Sequence, residues 1–256
     1  MVGTNNIRKR RVAVTGLGVV SPIGNGKEAF WQSLVSGKCG IAPVSNFDIS
    51  TYPCKIAAEV KNFDLNGFFS PKGGRRVSRG TQFAVVSTKG AIDDSRIDLS
   101  REDPYKIGLV YGTALGPMDI YERFGATFYE RGLKTALGPM DIYERFGATF
   151  YERGLKRVNP FFLGMMNHNS MIGALADYFD VRGYNTAISA GCSSGNVALA
   201  NAYNLVALGG ADVAITGGVD TPIYPLTFGL YAASQSMTNR NGDPKKSMCP
   251  YEWSTR

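Results

Sequence analysis

One cysteine in the sequence stands where a strand pattern changes into a helix pattern. Residues 185–208 read NTAISAGCSSGNVALANAYNLVAL, so a strand-like run reaches the small pair Ala190–Gly191 and Cys192 follows directly. The first turn of a helix has unpaired N–H groups, and the helix dipole adds positive potential there. Both effects favour a thiolate, the nucleophilic form of cysteine. The spacing therefore predicts that Cys192 is reactive.

A thiolate at Cys192 suits acyl transfer through a covalent thioester. The small residues around it, Gly191 and Gly195 among them, leave space for a substrate, and the N–H of Cys192 can donate to an oxyanion formed on an attached thioester. The alternative is a small buried hydrophobe, the usual state of a free cysteine. The strand-to-helix position favours the nucleophile. Cys39 and Cys54 lack this setting, and we interpret them as structural.

The rest of the chain alternates between strand and helix patterns. Strands are predicted at residues 11–20, 55–60, 106–112, 184–189 and 211–217, and helices at residues 27–36, 77–94, 160–179, 193–208 and 222–234. Apolar strands that alternate with helices predict an α/β protein, with a mostly parallel sheet covered on both faces.

Composition and charge limit the classes of function. The chain has 256 residues, 44% of them hydrophobic and 19% charged, which predicts a packed core. No apolar run is long enough to span a membrane, and the basic N-terminus lacks the apolar region of a signal peptide, so a cytoplasmic protein is expected. The net charge of +7 is compatible with an ordinary solvated surface or with an acidic partner, and no nucleic-acid-binding motif accompanies it.

The sequence gives no sign of a metal or a cofactor. The chain contains one histidine and no C-x-x-C pair, so a zinc site is not predicted. Gly16 and Gly18 form a G-x-G that lacks the third glycine and the acidic residue of a dinucleotide-binding motif. We therefore expect neither a metal ion nor a dinucleotide.

One segment is repeated letter for letter. Residues 113–134 and 135–156 both read TALGPMDIYERFGATFYERGLK. Diverged structural repeats keep a pattern and not every residue, so we interpret the repeat as a recent tandem duplication or an artefact of sequence assembly. One copy is expected to occupy the native position, and the other to form a surface loop or extra helix, where insertions cost little free energy.

Three segments together resemble the β-ketoacyl-[acyl-carrier-protein] synthases that elongate fatty acids (the KAS II type). They are RRVAVTGLGVVSPIGN at the start, GADVAITGGVDTPIYPLTFGLYAASQSMTNRNGDP after the cysteine helix, and MCPYEW near the end. The resemblance implies the thiolase fold, in which two similar halves stack as five layers. Residues 1–256 would form one β-ketoacyl synthase N-terminal domain, incomplete at its C-terminus.

In this family, the residue matching Cys192 accepts an acyl group from acyl carrier protein. A malonyl thioester then loses CO2 and attacks the acyl group, which gives a 3-oxoacyl thioester in fatty acid elongation. The family's catalytic histidines and lysine lie in the second half, so we expect no complete condensation by residues 1–256 alone. Two alternatives are a polyketide-type ketosynthase and, if the chain really ends at residue 256, an inactive interaction protein.

The resemblance also assigns substrate-binding residues. Phe162 matches a residue that lines the acyl pocket, and Tyr231 matches a gating aromatic residue; the alternative for both is plain core packing. His168 matches neither catalytic histidine, and we interpret it as structural or interfacial. The strand Thr186–Ser189 resembles the strand that pairs across the family's twofold axis, which implies a homodimer.

Basic residues form the expected docking surface for the acidic carrier protein. A family arginine is replaced here by Gln235, so the surface would be incomplete, and an ordinary solvated surface is the alternative. The matching positions are Lys72, Arg75, Arg76, Lys156 and Arg157.

Overall fold

The computed structural model of the chain describes residues 9–74, 76–122 and 166–247. Its residues cluster into two compact units. The first, which we call the sheet unit, is formed by Met1–Val20, Leu65–Gly116 and Asn167–Asp220. The other, which we call the second unit, is formed by Ser21–Asp64, Pro117–Met166 and Thr221–Arg256.

The described helices and strands alternate as expected from the sequence only from residue 79 onward. In chain order they are β1 (Val20–Ser21), β2 (Gly24–Asn25), α1 (Lys27–Val35), β3 (Ala42–Pro43), β4 (Ile56–Ala57), α2 (Pro71–Gly74), α3 (Arg79–Ser95), β5 (Ile107–Gly112), α4 (Ser170–Phe179), β6 (Asn185–Ile188), α5 (Ser194–Ala207), β7 (Val213–Gly218) and α6 (Pro225–Ala233). Short 3-10 turns occupy Leu99–Arg101, Pro104–Lys106 and Pro244–Lys246. No helix in the described ranges is long and apolar enough to cross a membrane.

A three-stranded parallel sheet forms the centre of the sheet unit. The strand order is β6-β5-β7, and Leu109 of β5 pairs with Asn185 on one side and Ile215 on the other. All six residues of β5 are buried. A strand that is buried on both faces reads as a continuous apolar run, as IGLVYG does. The prediction of a parallel sheet is confirmed for the described residues.

Helices cover both faces of this sheet. Ile107, Leu109 and Tyr111 of β5 pack in one apolar cluster with buried residues of α3 and α4. Val110 points to the opposite face and packs with Ala198 and Ala202 of α5. Successive side chains of a strand point to opposite faces, so β5 contributes to both layers. The layered α/β architecture predicted from the sequence is therefore present.

The second unit is built on aromatic contacts and short strands. β3 and β4 pair antiparallel, with Ala42 opposite Ala57. Phe47, Tyr52 and Phe228 form an edge-to-face trio with ring centroids 5.7–5.8 Å apart, a preferred geometry for aromatic pairs. This trio joins α6, which contains Phe228, to the segment between β3 and β4.

Two carboxylates bind backbone N–H groups in the second unit. Glu59 is only 6% exposed. Its carboxylate accepts hydrogen bonds from the N–H of Ser45 at 3.2 Å, from the hydroxyl of Ser45 at 2.6 Å, and from the N–H of Asn46. Glu122 accepts from the N–H groups of Leu226 and Thr227 in the first turn of α6. Burial raises the pKa of the Glu122 carboxyl above its ordinary value, although these two bonds act in the opposite direction.

The first copy of the repeat begins inside the fold. Ile120 is fully buried, and the hydroxyl of Tyr121 donates to the carbonyl of Met166 at 2.8 Å. Residues 123–134 and the whole second copy lie outside the described residues. The start of the first copy is therefore packed within the second unit, and the expectation that one copy is native and the other lies at the surface stays a prediction.

The strand predicted at residues 11–20 is wrong except at its last residue. Residues 11–19 have no strand structure, and Val14 is 77% exposed. The N–H of Leu17 donates instead to the side chain of Asp94 at 2.9 Å. A β-branched apolar run becomes a strand only where another strand pairs with it, and among the described residues none pairs with this segment.

The other predicted elements differ from the structure mainly at their ends. The strand predicted at residues 55–60 is reduced to β4, and the last predicted helix begins only at Pro225. Of the helix predicted at 160–179, the described part is α4, and residues 160–165 lie outside the described ranges. Helix ends depend on caps such as Ser78, whose hydroxyl accepts from the N–H of Thr81 at the start of α3.

Candidate active site

Cys192 lies in a tight turn between β6 and α5. Gly191 has φ +57, in the left-handed region that glycine adopts without steric cost. After this turn α5 begins at Ser194, two residues beyond the cysteine. Cys192 is exposed, so the alternative of a small buried hydrophobe is wrong. The predicted junction between strand and helix is confirmed.

The turn is held by main-chain and side-chain hydrogen bonds. The N–H of Ser193 donates to the carbonyl of Ala190 at 3.3 Å, and the N–H of Ser194 donates to that of Gly191 at 3.1 Å. The hydroxyl of Ser194 donates to the Gly191 carbonyl at 2.6 Å and accepts from the N–H of Ala190 at 2.9 Å. Ser194 is 3% exposed. The exposed thiol therefore stands on a turn with a buried polar anchor.

The carboxyl ends of β5 and β7 lie against the start of α5. A Cβ atom added at Gly112 would be 2.3 Å from the main chain of Ser194, and one added at Gly218 would be 3.0 Å from Gly195. Only glycine permits such a close approach of backbones. The helix that follows Cys192 is thus seated directly on the strand ends, which fixes its first turn relative to the sheet.

Asp220 organises the loop that follows β5. Its carboxylate accepts three hydrogen bonds of 2.9 Å, from the hydroxyl of Thr113 and from the N–H groups of Ala114 and Leu115. The Thr113 hydroxyl in turn accepts from the N–H of Gly116. Sequence reasoning missed both Asp220 and Ser194. An aspartate three residues after a predicted strand is the available signal for Asp220.

His168, the chain's one histidine, lies beside this loop. A Cβ atom added at Gly116 would be 3.0 Å from Nε2 of His168, so the ring packs against the loop backbone. Among the residues described, no group of three or more His, Cys, Asp or Glu side chains is arranged to hold a metal ion.

The electrostatic property of the Cys192 turn comes from the backbone. α5 has 14 residues, and its dipole places partial positive charge at its first turn, which begins two residues after Cys192. The N–H groups of Ser193 and Ser194 already donate to the carbonyls of Ala190 and Gly191, so the helix acts on an oxyanion near Cys192 through its dipole.

Tyr231, the predicted gating residue, lies on α6 in the second unit. It is 39% exposed, so its alternative interpretation as a core residue is wrong. Gln235 follows α6 with φ +57 and is exposed. Cys192 belongs to the sheet unit, and the gating role of Tyr231 stays a prediction. Phe162 lies outside the described residues.

Only part of the predicted carrier-protein surface is described. Arg76 is exposed, and its N–H closes a turn onto the carbonyl of Gly73 at 3.0 Å. Lys72 lies in α2, and its side chain is not among those described. Arg75, Lys156 and Arg157 fall outside the described residues.

Solved structures with a similar fold are ketosynthases. The AntDE:AntF type II PKS acyl-carrier protein, in complex with its ketosynthase bound to the hexaketide, matches with a TM-score of 0.77 and 22% identity over 96% of this chain and 54% of that chain. A β-ketoacyl synthase from Burkholderia phymatum STM815 matches with a TM-score of 0.70 and 19% identity over 93% of this chain and 53% of that one. These matches confirm the thiolase-like α/β fold class, restricted to its N-terminal half.

Sequence comparison leads to the family. The domain described as "Beta-ketoacyl synthase, N-terminal domain" matches residues 9–252, and the chain belongs to this family. Two similar curated proteins are both named 3-oxoacyl-[acyl-carrier-protein] synthase 2. That of Synechocystis sp. is 32% identical over 247 residues, and that of Vibrio harveyi is 29% identical over 244. The matches cover 96% and 95% of this chain and 54% of each relative, so the chain spans about half their length.

Proposed function

We propose that this chain is the cysteine-bearing half of a 3-oxoacyl-[acyl-carrier-protein] synthase of fatty acid elongation. The observation that carries the proposal is the exposed Cys192 at the start of α5, within a chain of the β-ketoacyl synthase family. The names of the two curated relatives support this substrate class.

The first half-reaction in this proposal is acyl transfer to Cys192. The thiolate attacks the carbonyl carbon of an acyl thioester, the bond from that carbon to the carrier's sulfur breaks, and the carrier thiolate takes up a proton. The oxyanion of the tetrahedral intermediate is stabilised by N–H groups at the turn. Covalent capture divides a difficult carbon–carbon bond formation into two easier steps.

The second half-reaction is a decarboxylative Claisen condensation. A malonyl thioester loses CO2, and the electron pair of the broken carbon–carbon bond forms a carbanion. The carbanion attacks the acyl carbonyl on Cys192, and the cysteine leaves as a thiolate. The product is a 3-oxoacyl thioester extended by two carbons. In the proposal, the histidines and lysine that assist this step belong to the other half of the fold, so residues 1–256 alone complete the first half-reaction only.

The proposed partner is acyl carrier protein, which is acidic. The net charge of +7 and the exposed Arg76 support this proposal, together with a similar fold that was solved as a ketosynthase with its acyl-carrier protein. Complementary charge increases the association rate and is screened by salt. The docking residues of the proposal are Lys72, Arg75, Arg76, Lys156 and Arg157.

We further propose a homodimer through β6 and a cytoplasmic location. In the described sheet β6 is an edge strand, so one side of its main chain is open to another strand. Tyr184, directly before β6, is 53% exposed. In the same proposal, Phe162 and Tyr231 bind the acyl chain.

The decisive test is acyl transfer to the sulfur of Cys192. The chain is incubated with an acyl-[acyl-carrier-protein], and the adduct is found by intact mass and located by peptide mass spectrometry. We expect one acyl group on Cys192 and none on Cys192→Ala. The proposed nucleophile is rejected if a folded chain takes up no acyl group, or if the adduct persists in Cys192→Ala. The same sample given malonyl-[acyl-carrier-protein] should form no 3-oxoacyl product.

A polyketide-type ketosynthase is the second candidate, favoured by the fold match to a polyketide ketosynthase. The two candidates share the acylation of Cys192 and differ in the acyl group. Competition between a saturated acyl and a 3-oxoacyl thioester separates them, because a fatty acid enzyme prefers the saturated group. An inactive interaction protein, the third candidate, would bind acyl carrier protein without forming an adduct.

A further inference from the structure

The hydroxyl of Ser194 spans the turn that carries Cys192. It donates to the carbonyl of Gly191 at 2.6 Å and accepts from the N–H of Ala190 at 2.9 Å, so it contacts both residues that precede the cysteine. We propose that Ser194 is a positioning residue that holds Cys192 in place for acyl transfer. The inference rests on the proposed function, since it assigns a role in the same acyl-transfer step.

The turn needs such an anchor because its own backbone is weakly restrained. Gly191 lacks a side chain and populates left- and right-handed conformations about equally. The two main-chain bonds across the turn measure 3.3 and 3.1 Å, and the Ser194 hydroxyl adds two more, at 2.6 and 2.9 Å. The side chain therefore doubles the hydrogen bonds that hold the turn with φ +57 at Gly191.

Burial makes the Ser194 hydroxyl a specific anchor. Ser194 is 3% exposed and lies against the end of β5, where an added Cβ at Gly112 would be 2.3 Å from its main chain. A serine hydroxyl has one donor and two acceptor lone pairs, and here it uses the donor and one acceptor in the turn. The anchor is thus fixed to the sheet, and through it the turn is fixed as well.

The position of the sulfur decides the rate of acyl transfer. A reacting atom that is misplaced by about 1 Å can lose about a hundredfold in rate. Without the Ser194 hydroxyl, Cys192 would sample several positions relative to the start of α5. The sulfur would then meet the thioester carbonyl in the productive geometry less often, which lowers the maximum rate and leaves thioester binding unchanged.

Ser193 provides a matched control. It is also a serine in the same turn, but it is exposed, and its side chain makes no capping hydrogen bond to α5. Ser193→Ala therefore removes an equal number of atoms next to Cys192 without removing the anchor. Ser194→Thr is the complementary variant, since it keeps the hydroxyl and adds only a methyl group.

The experiment measures two reactions of Cys192 in the 256-residue chain and in these three variants. The first is acylation by an acyl-[acyl-carrier-protein], followed over a range of concentrations. The second is alkylation by iodoacetamide, quantified on the peptide that contains Cys192. For Ser194→Ala we expect about a tenfold loss in the maximum acylation rate, since two hydrogen bonds are lost, with the half-saturating concentration unchanged. Alkylation should slow as well.

The control results decide the outcome. Ser193→Ala should stay within about twofold of the unmodified chain, and Ser194→Thr should retain more of the acylation rate than Ser194→Ala, although its buried methyl group has a packing cost. Thermal denaturation verifies that every variant is folded. Equal acylation rates in Ser194→Ala and Ser193→Ala would overturn the positioning role. If the unmodified chain is not acylated, the proposed function fails. Alkylation by iodoacetamide then still tests the positioning role of Ser194, because equal alkylation rates in all variants would reject that role.

One measurement requires no variant. The N–H of Ala190 donates to the buried Ser194 hydroxyl, so its hydrogen exchange should be slowed relative to an unstructured peptide. Should Ser194→Ala not fold, this amide decides the question. Protection supports the anchor, and exchange at the unstructured rate overturns it.

Discussion

The two units of the chain are stabilised in different ways. In the sheet unit, main-chain ladders join three parallel strands, and apolar layers on both faces bury β5 completely. In the second unit the strands are two residues long, and side chains such as Glu59 and Glu122 bind the backbone N–H groups. The sheet unit is therefore ordered by long strand ladders between apolar layers, whereas the second unit combines an aromatic cluster with carboxylates that bind the backbone where strands are short.

The largest effect is expected for a cavity in the sheet unit. Leu109 of β5 is fully buried between neighbours on both sides, so Leu109→Ala should lower the free energy of unfolding by about 3–5 kcal/mol. Leu208→Ala is the control, because Leu208 is 55% exposed and should change stability by less than about 0.5 kcal/mol. Urea denaturation measures both. Similar losses in the two variants would contradict the apolar-layer description.

The repeat offers a pair of identical residues for the next comparison. Ile120 is fully buried, so Ile120→Ala should cost about 2–4 kcal/mol in free energy of unfolding. Ile142 is its equivalent in the second copy, which we expect at the surface, so Ile142→Ala should cost less than about 0.5 kcal/mol. Urea denaturation of both variants is the measurement. A larger loss for Ile142→Ala would show that the second copy occupies the native position.

Removal of one carboxylate tests the polar character of the second unit. Glu59→Ala leaves the N–H groups of Ser45 and Asn46 without their acceptor, and we expect a loss of about 1–3 kcal/mol in unfolding free energy. Glu28→Ala is the control, since Glu28 is an exposed residue of α1. If chemical denaturation gives equal stabilities for these two variants, the contrast between the units is not valid.

The smallest effect is a pH dependence at Glu122. Its pKa is raised by burial, so the folded state holds the proton more tightly than the unfolded state. This contribution to stability is complete below the unfolded pKa and is lost as pH rises through the folded pKa. The Glu122→Gln variant lacks this pH-dependent contribution. As pH rises through that window, the free energy of unfolding of Glu122→Gln should therefore increase relative to that of the unmodified chain. Glu144→Gln, the equivalent change in the second copy, should show no such trend in urea denaturation.

The strand-to-helix site was predictable because its signals are local. The strand run, the small pair Ala190–Gly191 and the helical spacing after Cys192 stand next to one another, and the structure places the turn between them. The hydrogen bonds of Ser194 were not predictable, since a serine near a helix start has several side-chain rotamers, and the choice depends on burial against β5.

Features that depend on distant residues escaped prediction. Asp220 binds a loop more than 100 positions earlier in the chain, and no local pattern indicates that pairing. The segment at residues 11–19 has a strand composition, but strand formation also requires a pairing strand from elsewhere. For the same reason, β4 is shorter than its apolar pattern predicts: only Ala57 and Ile56 find partners in β3.

The conformation of Gly191 has a consequence for how this turn can change. A Cβ atom added there in the L configuration would meet nothing within 4 Å, so there is room for a side chain. The positive φ is nevertheless costly for any L-amino acid, by about 1–2 kcal/mol. A side chain introduced at Gly191 would therefore be opposed by chirality and not by crowding.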